Sequence, residues 1–166
     1  MQLIEEIFMN IRSFCVCAAS CAALLFSACQ QQQFEPYRGY KKAPYTLKGV
    51  RYVPMDVQTA LRYREDGIAS FYEADGARGA IGQRLYEGQF YAAHRTLPLP
   101  CHVRITNLSN GKSCKARVAD RGPFIQGRLI DVSSAVAEEL GFTRKGLERV
   151  RVEVLWVGDG KYKVRR

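Results

Sequence analysis

The chain has 166 residues, enough for one domain of ordinary size plus a targeting segment and too few for two full domains. With 47% hydrophobic and 25% charged residues it has a globular composition, which excludes a disordered or collagen-like chain. A formal charge of +9 points to an anionic partner: nucleic acid, anionic lipid or an acidic polymer.

The N-terminal residues choose among these partners. Phe14 to Ala28 is almost wholly small or apolar, too short to span a bilayer comfortably but right for the apolar core of a signal peptide. It runs into Leu25-Phe26-Ser27-Ala28-Cys29, which looks like a lipobox, the site where a cysteine is diacylated and becomes the new N-terminus. Phe26 stands where leucine is usual. The polar Gln30–Gln33 run that follows favours lipidation over a buried helix or a plain secretory signal. Glu5 and Glu6 do not belong in a basic leader, whereas Met9-Asn10-Ile11-Arg12 does, so residues 1–28 read as a lipoprotein signal peptide whose true start is Met9. Cys29 is then the membrane anchor. Export removes nucleic acid from the candidate partners and leaves an envelope polyanion. Gln30 after the cysteine, rather than aspartate, suits an outer-membrane lipoprotein facing the periplasm.

Residues 29–43 are polar, without a hydrophobic period, and read as a lipidated tether. Residues 44–66 form an N-terminal extension of the domain. Within it, Tyr45 to Tyr52 reads as two short β segments turning at Lys48-Gly49, and Met55 to Arg64 has no readable period. Gly67 to Tyr72 alternates and is rich in β formers, so it predicts a strand. Glu73 to Gly82 holds three glycines and predicts a loop.

Val103 to Leu108 and Ala116 to Ala119 alternate on either side of Asn110-Gly111, the strongest short-range signal for a hairpin, because both central residues of a type I′ turn need positive φ. A turn centred there pairs residue 101 with residue 120 and 107 with 114. His94, upstream of Cys101, is thereby brought beside Asp120. In that register Cys101 and Cys114 are separated by about six residues, roughly 20 Å along the ladder, beyond disulfide reach. Both are expected to be free and buried.

Ser133 to Leu140 predicts a short helix, with Ser133 as N-cap and Gly141 just past its end. Val150 to Val154 alternates again as a closing strand, and residues 158–166 form a basic tail. Short strands separated by turns, with one small helix, define an all-β, closed or nearly closed barrel. His94, His102 and the cysteines lack metal-ligand spacing, so no metal and no cofactor are expected.

Ala92-Ala93-His94-Arg95-Thr96-Leu97-Pro98, Val103 to Leu108, Asp120-Arg121-Gly122-Pro123-Phe124 and Arg128 to Ser133 closely resemble, in order and spacing, the rare lipoprotein A family of bacterial lipoproteins. The resemblance implies a six-stranded double-psi β-barrel over residues 67–157 with one or two short helices. It also implies lytic transglycosylase activity on peptidoglycan, with 1,6-anhydromuramic acid ends as product. In the family, the aspartate and histidine matching Asp120 and His94 are tied to activity. Many members continue into a sporulation-related repeat, which is not expected after residue 166.

An aspartate acting as acid at neutral pH needs burial or a neighbouring like charge to raise its pKa, and Arg121 opposes this if it reaches the carboxylate. The bland role for Asp120 is to cap the Arg121-Gly122-Pro123 turn. His94 is expected to orient Asp120 or hold the sugar, its bland role being a satisfied histidine in a turn before Pro98. Tyr72, Gln83, Arg121, Phe124 and Asp131 are the expected substrate-binding residues. Asp131 and Ser133 also serve structure, at a strand end and a helix cap. Phe71, Tyr72 and Tyr91 offer a sugar platform, although core packing claims at least two of them. Gln83 occupies the place of a family glutamate and can hydrogen-bond but not transfer a proton. Two further readings stay open: a noncatalytic, expansin-like wall binder, and an interaction module for division or cell-wall proteins.

Overall fold

The computed structural model describes residues 38–73 and 75–165. The expected signal peptide, Cys29 and most of the tether lie outside them. Alternation of valine and isoleucine with polar residues sets the barrel strands, because side chains one residue apart point to opposite faces. In chain order the strands are β1 (Tyr45–Leu47), β2 (Val50–Tyr52), β3 (Arg64–Tyr72), β4 (Tyr91–Ala93), β5 (Cys101–Asn107), β6 (Ser113–Asp120), β7 (Arg128–Ser133), β8 (Leu147–Val157) and β9 (Val164–Arg165). Among the described residues two α-helices interrupt them, α1 (Val57–Ala60) and α2 (Ser134–Leu140), and a 3-10 turn (Gly160–Tyr162) precedes β9.

Six strands close a ring in the order β3-β7-β4-β6-β5-β8, with β8 returning to β3. Two pairs, β3–β7 and β4–β6, are parallel and the others antiparallel. This is the double-psi barrel that the resemblance implied. Val103 and Ile105 on β5, Val118 on β6, Ile130 and Val132 on β7, and Val150 and Val152 on β8 fill its interior and are fully buried. The β1–β2 pair is a separate two-stranded sheet turning at Lys48 and Gly49, both at positive φ, as the sequence predicts.

The central hairpin forms with its register shifted by two residues. Cys101 pairs with Val118 rather than residue 120, and Ile105 with Cys114. The turn is longer than the Asn-Gly signal implied: Asn107 N–H donates to Lys112 O at 2.8 Å, Gly111 N–H donates to Asn107 O at 2.9 Å, and Gly111 alone in this turn has positive φ. The cause is Asn107, which is fully buried. Its Oδ1 accepts from Ser109 N–H and its Nδ2 donates to Leu140 O at the end of α2. A shift of two keeps every side chain on its expected face, since the strand period is two. Cys101 and Cys114 are both free, as expected, but only Cys101 is buried; Cys114, near the turn end of β6, is half-buried.

Ser133 caps α2 through Val136 N–H, and Gly141 ends it in the left-handed region at φ 75. Helix α1, which had no readable period, is one turn long, and Asp56 holds it by accepting from Thr59 N–H. Two boundaries move. Lys41, assigned to the tether, bridges to Leu99, with its N–H donating to Leu99 O at 2.7 Å, and Tyr40 donates to Tyr162 O. The basic tail contributes β9, paired with Trp156 and Val157.

The return of the chain after β8 rests on a buried ion pair. Arg117, 2% exposed, donates from Nη2 to Asp159 Oδ2 at 2.5 Å. Removing one partner of such a pair leaves the other charge uncompensated. Asp159→Ala is therefore expected to cost about 3–5 kcal/mol in urea unfolding. A loss below about 1 kcal/mol, the range of an exposed pair, would show that the bond does not hold this turn.

Candidate active site

One row of residues crosses four strands. Ser70 on β3 pairs with Asp131 on β7, Asp131 with Ala93 on β4, and Ala93 with Asp120 on β6. Adjacent strands lie about 4.8 Å apart, so the two aspartate backbones are about 10 Å apart with only the Ala93 methyl between them. Asp120 joins this row through a bulge. Ala92 faces Val118 but Ala93 faces Asp120, so Ala119 is the extra residue. Bulges re-aim the side chains that follow them.

The Asp120 carboxyl is held by one oxygen. Its Oδ1 accepts from Ala80 N–H at 2.9 Å and Arg121 N–H at 2.8 Å, and no donor among the described residues binds Oδ2. Burial pushes its pKa above the usual carboxylate range, opposed by those two hydrogen bonds and by the charges of Arg121 and Lys41. Asp131 Oδ1 accepts from the Ser70 hydroxyl, and burial raises its pKa too, against that hydrogen bond. Asp131 thus sits inside β7 rather than at a strand end.

Ala80 is delivered by the 79–83 loop. Gly79 N–H donates to Gln83 O, and Gln83 Nε2 donates to Ala119 O at 3.3 Å, tying the loop to the bulge. A side chain at Gly79 would come within 2.4 Å of Gln83 Nε2 and 3.0 Å of the Ala119 carbonyl, so it would press on the contact that ties the loop to the bulge. A glutamate at position 83 has no N–H for that carbonyl, so the amide suits this loop. Gln83 Oε1 and the Tyr72 hydroxyl are buried without a hydrogen-bond partner among the described residues. Asp120 and Asp131 both lie close enough to raise the Tyr72 pKa, after burial itself.

Arg121 turns away from the carboxylate. Its Nη1 donates to the carbonyls of Leu97 (2.5 Å), His94 (3.3 Å) and Arg95 (3.3 Å), and its Nη2 to Lys41 O (3.1 Å). Asp120 is therefore not neutralised by an ion pair with its neighbour.

His94 differs from expectation. Its main chain meets Asp120, with His94 N–H donating to Asp120 O at 3.1 Å, but its side chain makes no bond to the carboxyl. The residue is 3% exposed, and Nδ1 accepts from Thr96 N–H (3.2 Å) and Leu97 N–H (3.0 Å). Nε2 must then carry the hydrogen and donate to the Tyr63 hydroxyl at 3.0 Å, which in turn donates to Glu65 Oε2 at 2.8 Å. Burial, with smaller contributions from Arg95 and Arg121, pushes the imidazole down to about 3 and keeps it neutral at physiological pH. The imidazole clamps the turn whose carbonyls hold Arg121. Nothing in the sequence marks Tyr63 and Glu65 as its partners, because the contact spans 31 residues.

The expected platform of Phe71, Tyr72 and Tyr91 does not form. Tyr91 is buried, Phe71 packs edge-on against Phe142, and Tyr72 packs edge-on against Tyr91. Phe124 is exposed and meets Tyr45 and Tyr52 of the β1–β2 hairpin. No cluster of ligating side chains that could hold a metal occurs among the described residues.

A closed double-psi barrel carrying two half-buried aspartates on one row defines the class of protein. The family model described as "Lytic transglycolase" matches residues 64–152, and the chain belongs to that family. It is 48% identical over 121 residues to the endolytic peptidoglycan transglycosylase RlpA of Pseudomonas aeruginosa, covering 71% of this chain and 35% of that protein. For the protein of that name from Pasteurella multocida the identity is 44% over 117 residues, covering 69% and 40%. For that of Rickettsia bellii it is 40% over 133 residues, covering 76% and 57%. The chain thus spans less than two thirds of each of these relatives. Among solved structures, an apo expansin of Clavibacter michiganensis aligns with a TM-score of 0.48 at 15% identity, covering 59% of this chain and 53% of that one.

Proposed function

We propose that the chain is an endolytic lytic transglycosylase that cleaves the bond between N-acetylmuramic acid and N-acetylglucosamine in peptidoglycan. The supporting observation is the Asp120 carboxyl, with its pKa raised by burial, Oδ1 anchored by two backbone donors and Oδ2 left open. Protonated Asp120 gives its proton to the glycosidic oxygen as the bond to the muramic anomeric carbon breaks and oxocarbenium character develops. The carboxylate then takes the proton of the muramic 6-hydroxyl as that oxygen closes onto the anomeric carbon. The proton returns to Asp120 and no water is consumed. Asp131 is the substrate contact on the row, with Tyr72, Gln83 and Phe124 beside it. Arg121 positions the Asp120 main chain, and His94 acts through Arg121 by clamping the 95–97 turn.

Digestion of purified sacculi followed by muropeptide analysis tests this reading. 1,6-Anhydromuramic products are expected from the wild type, and their complete absence would reject the enzyme. Retained sacculus binding without products would leave the expansin-like wall binder, the reading that Gln83 in place of a glutamate favours. We further propose that Cys29 anchors the protein to the outer membrane facing the periplasm. Among the described residues no helix is long and apolar enough to cross a membrane. Palmitate labelling that survives Cys29→Ala would exclude the anchor. Division or cell-wall proteins are proposed partners that capture from membranes would identify.

A further inference from the structure

The β1–β2 hairpin precedes the family match at residues 64–152, and nothing so far assigns it a role. A two-stranded hairpin is marginal by itself and needs something to pack on. Cross-strand pairing puts Tyr45 opposite Tyr52 and Leu47 opposite Val50. Tyr45 is committed to the fold: its ring stacks on Tyr52 at 5.1 Å, the Arg121 guanidinium lies 5.3 Å from its centroid, and its hydroxyl donates to Arg95 O at 2.9 Å. Tyr52, half-buried like Tyr45, has neither a hydroxyl partner nor a guanidinium over its ring among the described residues. Beyond Tyr45 it meets the Phe124 ring edge-to-face at 5.4 Å and 62°, and Phe124 is 40% exposed. Val53 and Ile125 beside them are exposed as well.

This aromatic corner is continuous with the carboxylate row. Gly122 lies two residues after Asp120 at φ +138, a conformation that other residues rarely adopt. The space over its α-carbon is bounded by the Phe124 ring at 3.9 Å, Asp131 Oδ2 at 3.8 Å and the Ala93 methyl at 3.8 Å. Four residues of chain reach at most about 14 Å, so Phe124 is within about three sugar rings of Asp120. A pyranose presents a C–H face of partial positive charge and a rim of hydroxyl groups. The first complements the negative face of an aromatic ring, and the second complements a carboxylate such as Asp131.

We propose that Tyr52 and Phe124 form a stacking subsite for a pyranose ring of the glycan strand, adjoining the bond presented to Asp120. The proposal rests on the reading that the chain acts on glycan. It makes the hairpin one wall of the binding cleft, with Tyr45 and Arg121 fastening that wall to the barrel.

The test measures binding of the full chain to insoluble sacculi and to a soluble N-acetylglucosamine hexamer, in the Asp120→Asn background so that turnover does not intervene. Tyr52→Ala and Phe124→Ala are each expected to weaken binding about 3- to 10-fold, with the barrel still unfolding cooperatively and Phe124→Ala leaving the melting temperature unchanged. Phe124→Trp is expected to retain binding, and Leu47→Ala, at the far end of the same hairpin, to leave it unaffected. Wild-type binding by both alanine variants, with the fold intact, overturns the subsite. So does loss of a dimer in sedimentation with glycan binding unchanged, which would assign the patch to a second copy of this chain. Failure of the transglycosylase reading is distinguishable: no anhydro products from the wild type, yet weaker binding by both variants, leaves the subsite standing.

Discussion

Asp120→Asn is expected to abolish 1,6-anhydromuramic product formation, by a factor of about 10² or more, while the protein folds and binds sacculi. The amide keeps an oxygen to accept from Ala80 and Arg121 N–H, so the loop geometry survives. What is lost is the proton. The same variant carries a stability signature. Because burial raises the Asp120 pKa, the folded state binds its proton more tightly than the unfolded chain does. Stability from this group is complete below the unfolded carboxylate pKa and declines as pH rises through the folded value. Asparagine has no such decline, so its melting temperature should exceed that of the wild type at neutral pH and converge with it in acid. Activity of the wild type should fall on the alkaline side as the acid form disappears. An Asp120→Asn protein that still releases anhydro products would remove Asp120 from the chemistry.

At position 94, alanine and asparagine are expected to behave differently. His94→Ala leaves Thr96 and Leu97 N–H without their acceptor in a buried site, at about 1–3 kcal/mol for each unsatisfied donor. The turn that holds Arg121 loosens, and activity should fall about 100-fold, a loss on the scale that misplacing a catalytic group produces. Asparagine places its Oδ1 close to where the imidazole Nδ1 sits. It can cap the same turn, so His94→Asn should keep activity within about tenfold of wild type, the remaining loss coming from the Tyr63 bond. A histidine that moved protons itself would lose both variants equally, which is the result that would defeat a positioning role.

His94 also has a pH signature of the opposite sign. The folded-state pKa of about 3 lies below the ordinary value of 6.5, so the unfolded chain binds the proton first as pH falls. Wild-type stability should therefore drop from pH 6.5 towards 3, by up to about 1.4 kcal/mol per pH unit. His102, lowered to about 4 chiefly by burial, adds to the same slope. Only the His94 part should vanish in His94→Asn. Parallel curves for the two proteins would contradict the buried neutral ring.

Much of this site is written in short-range patterns. Alternation marked β3, β5, β6 and β8, and Lys48-Gly49 marked the hairpin that carries Tyr45 and Tyr52. Ser133 and Gly141 bounded α2 because caps depend on residues within one helical turn. The hairpin signal at Asn110-Gly111 found the right pair of strands but missed the register. The sequence cue concerns two residues, whereas the length of the turn was decided by Asn107 bonding to a helix end 33 residues away. Strand β4 escaped notice for a related reason: three fully buried residues carry no period.

By itself, then, the sequence determined which residues are apolar, where the chain turns, and that Asp120 and His94 share a neighbourhood. The tertiary structure alone decided which way they face. Asp120 points along the row with Asp131 because pairing of β6 with β4 forces a bulge at Ala119, and that pairing joins strands with the whole of β5 and its turn between them in the chain. His94 faces Tyr63 because the Thr96 and Leu97 amides needed a buried acceptor. Local dihedral preferences and hydrophobic period are encoded residue by residue. The direction of a polar side chain depends on which distant backbone groups still lack a hydrogen-bond partner once the barrel has closed.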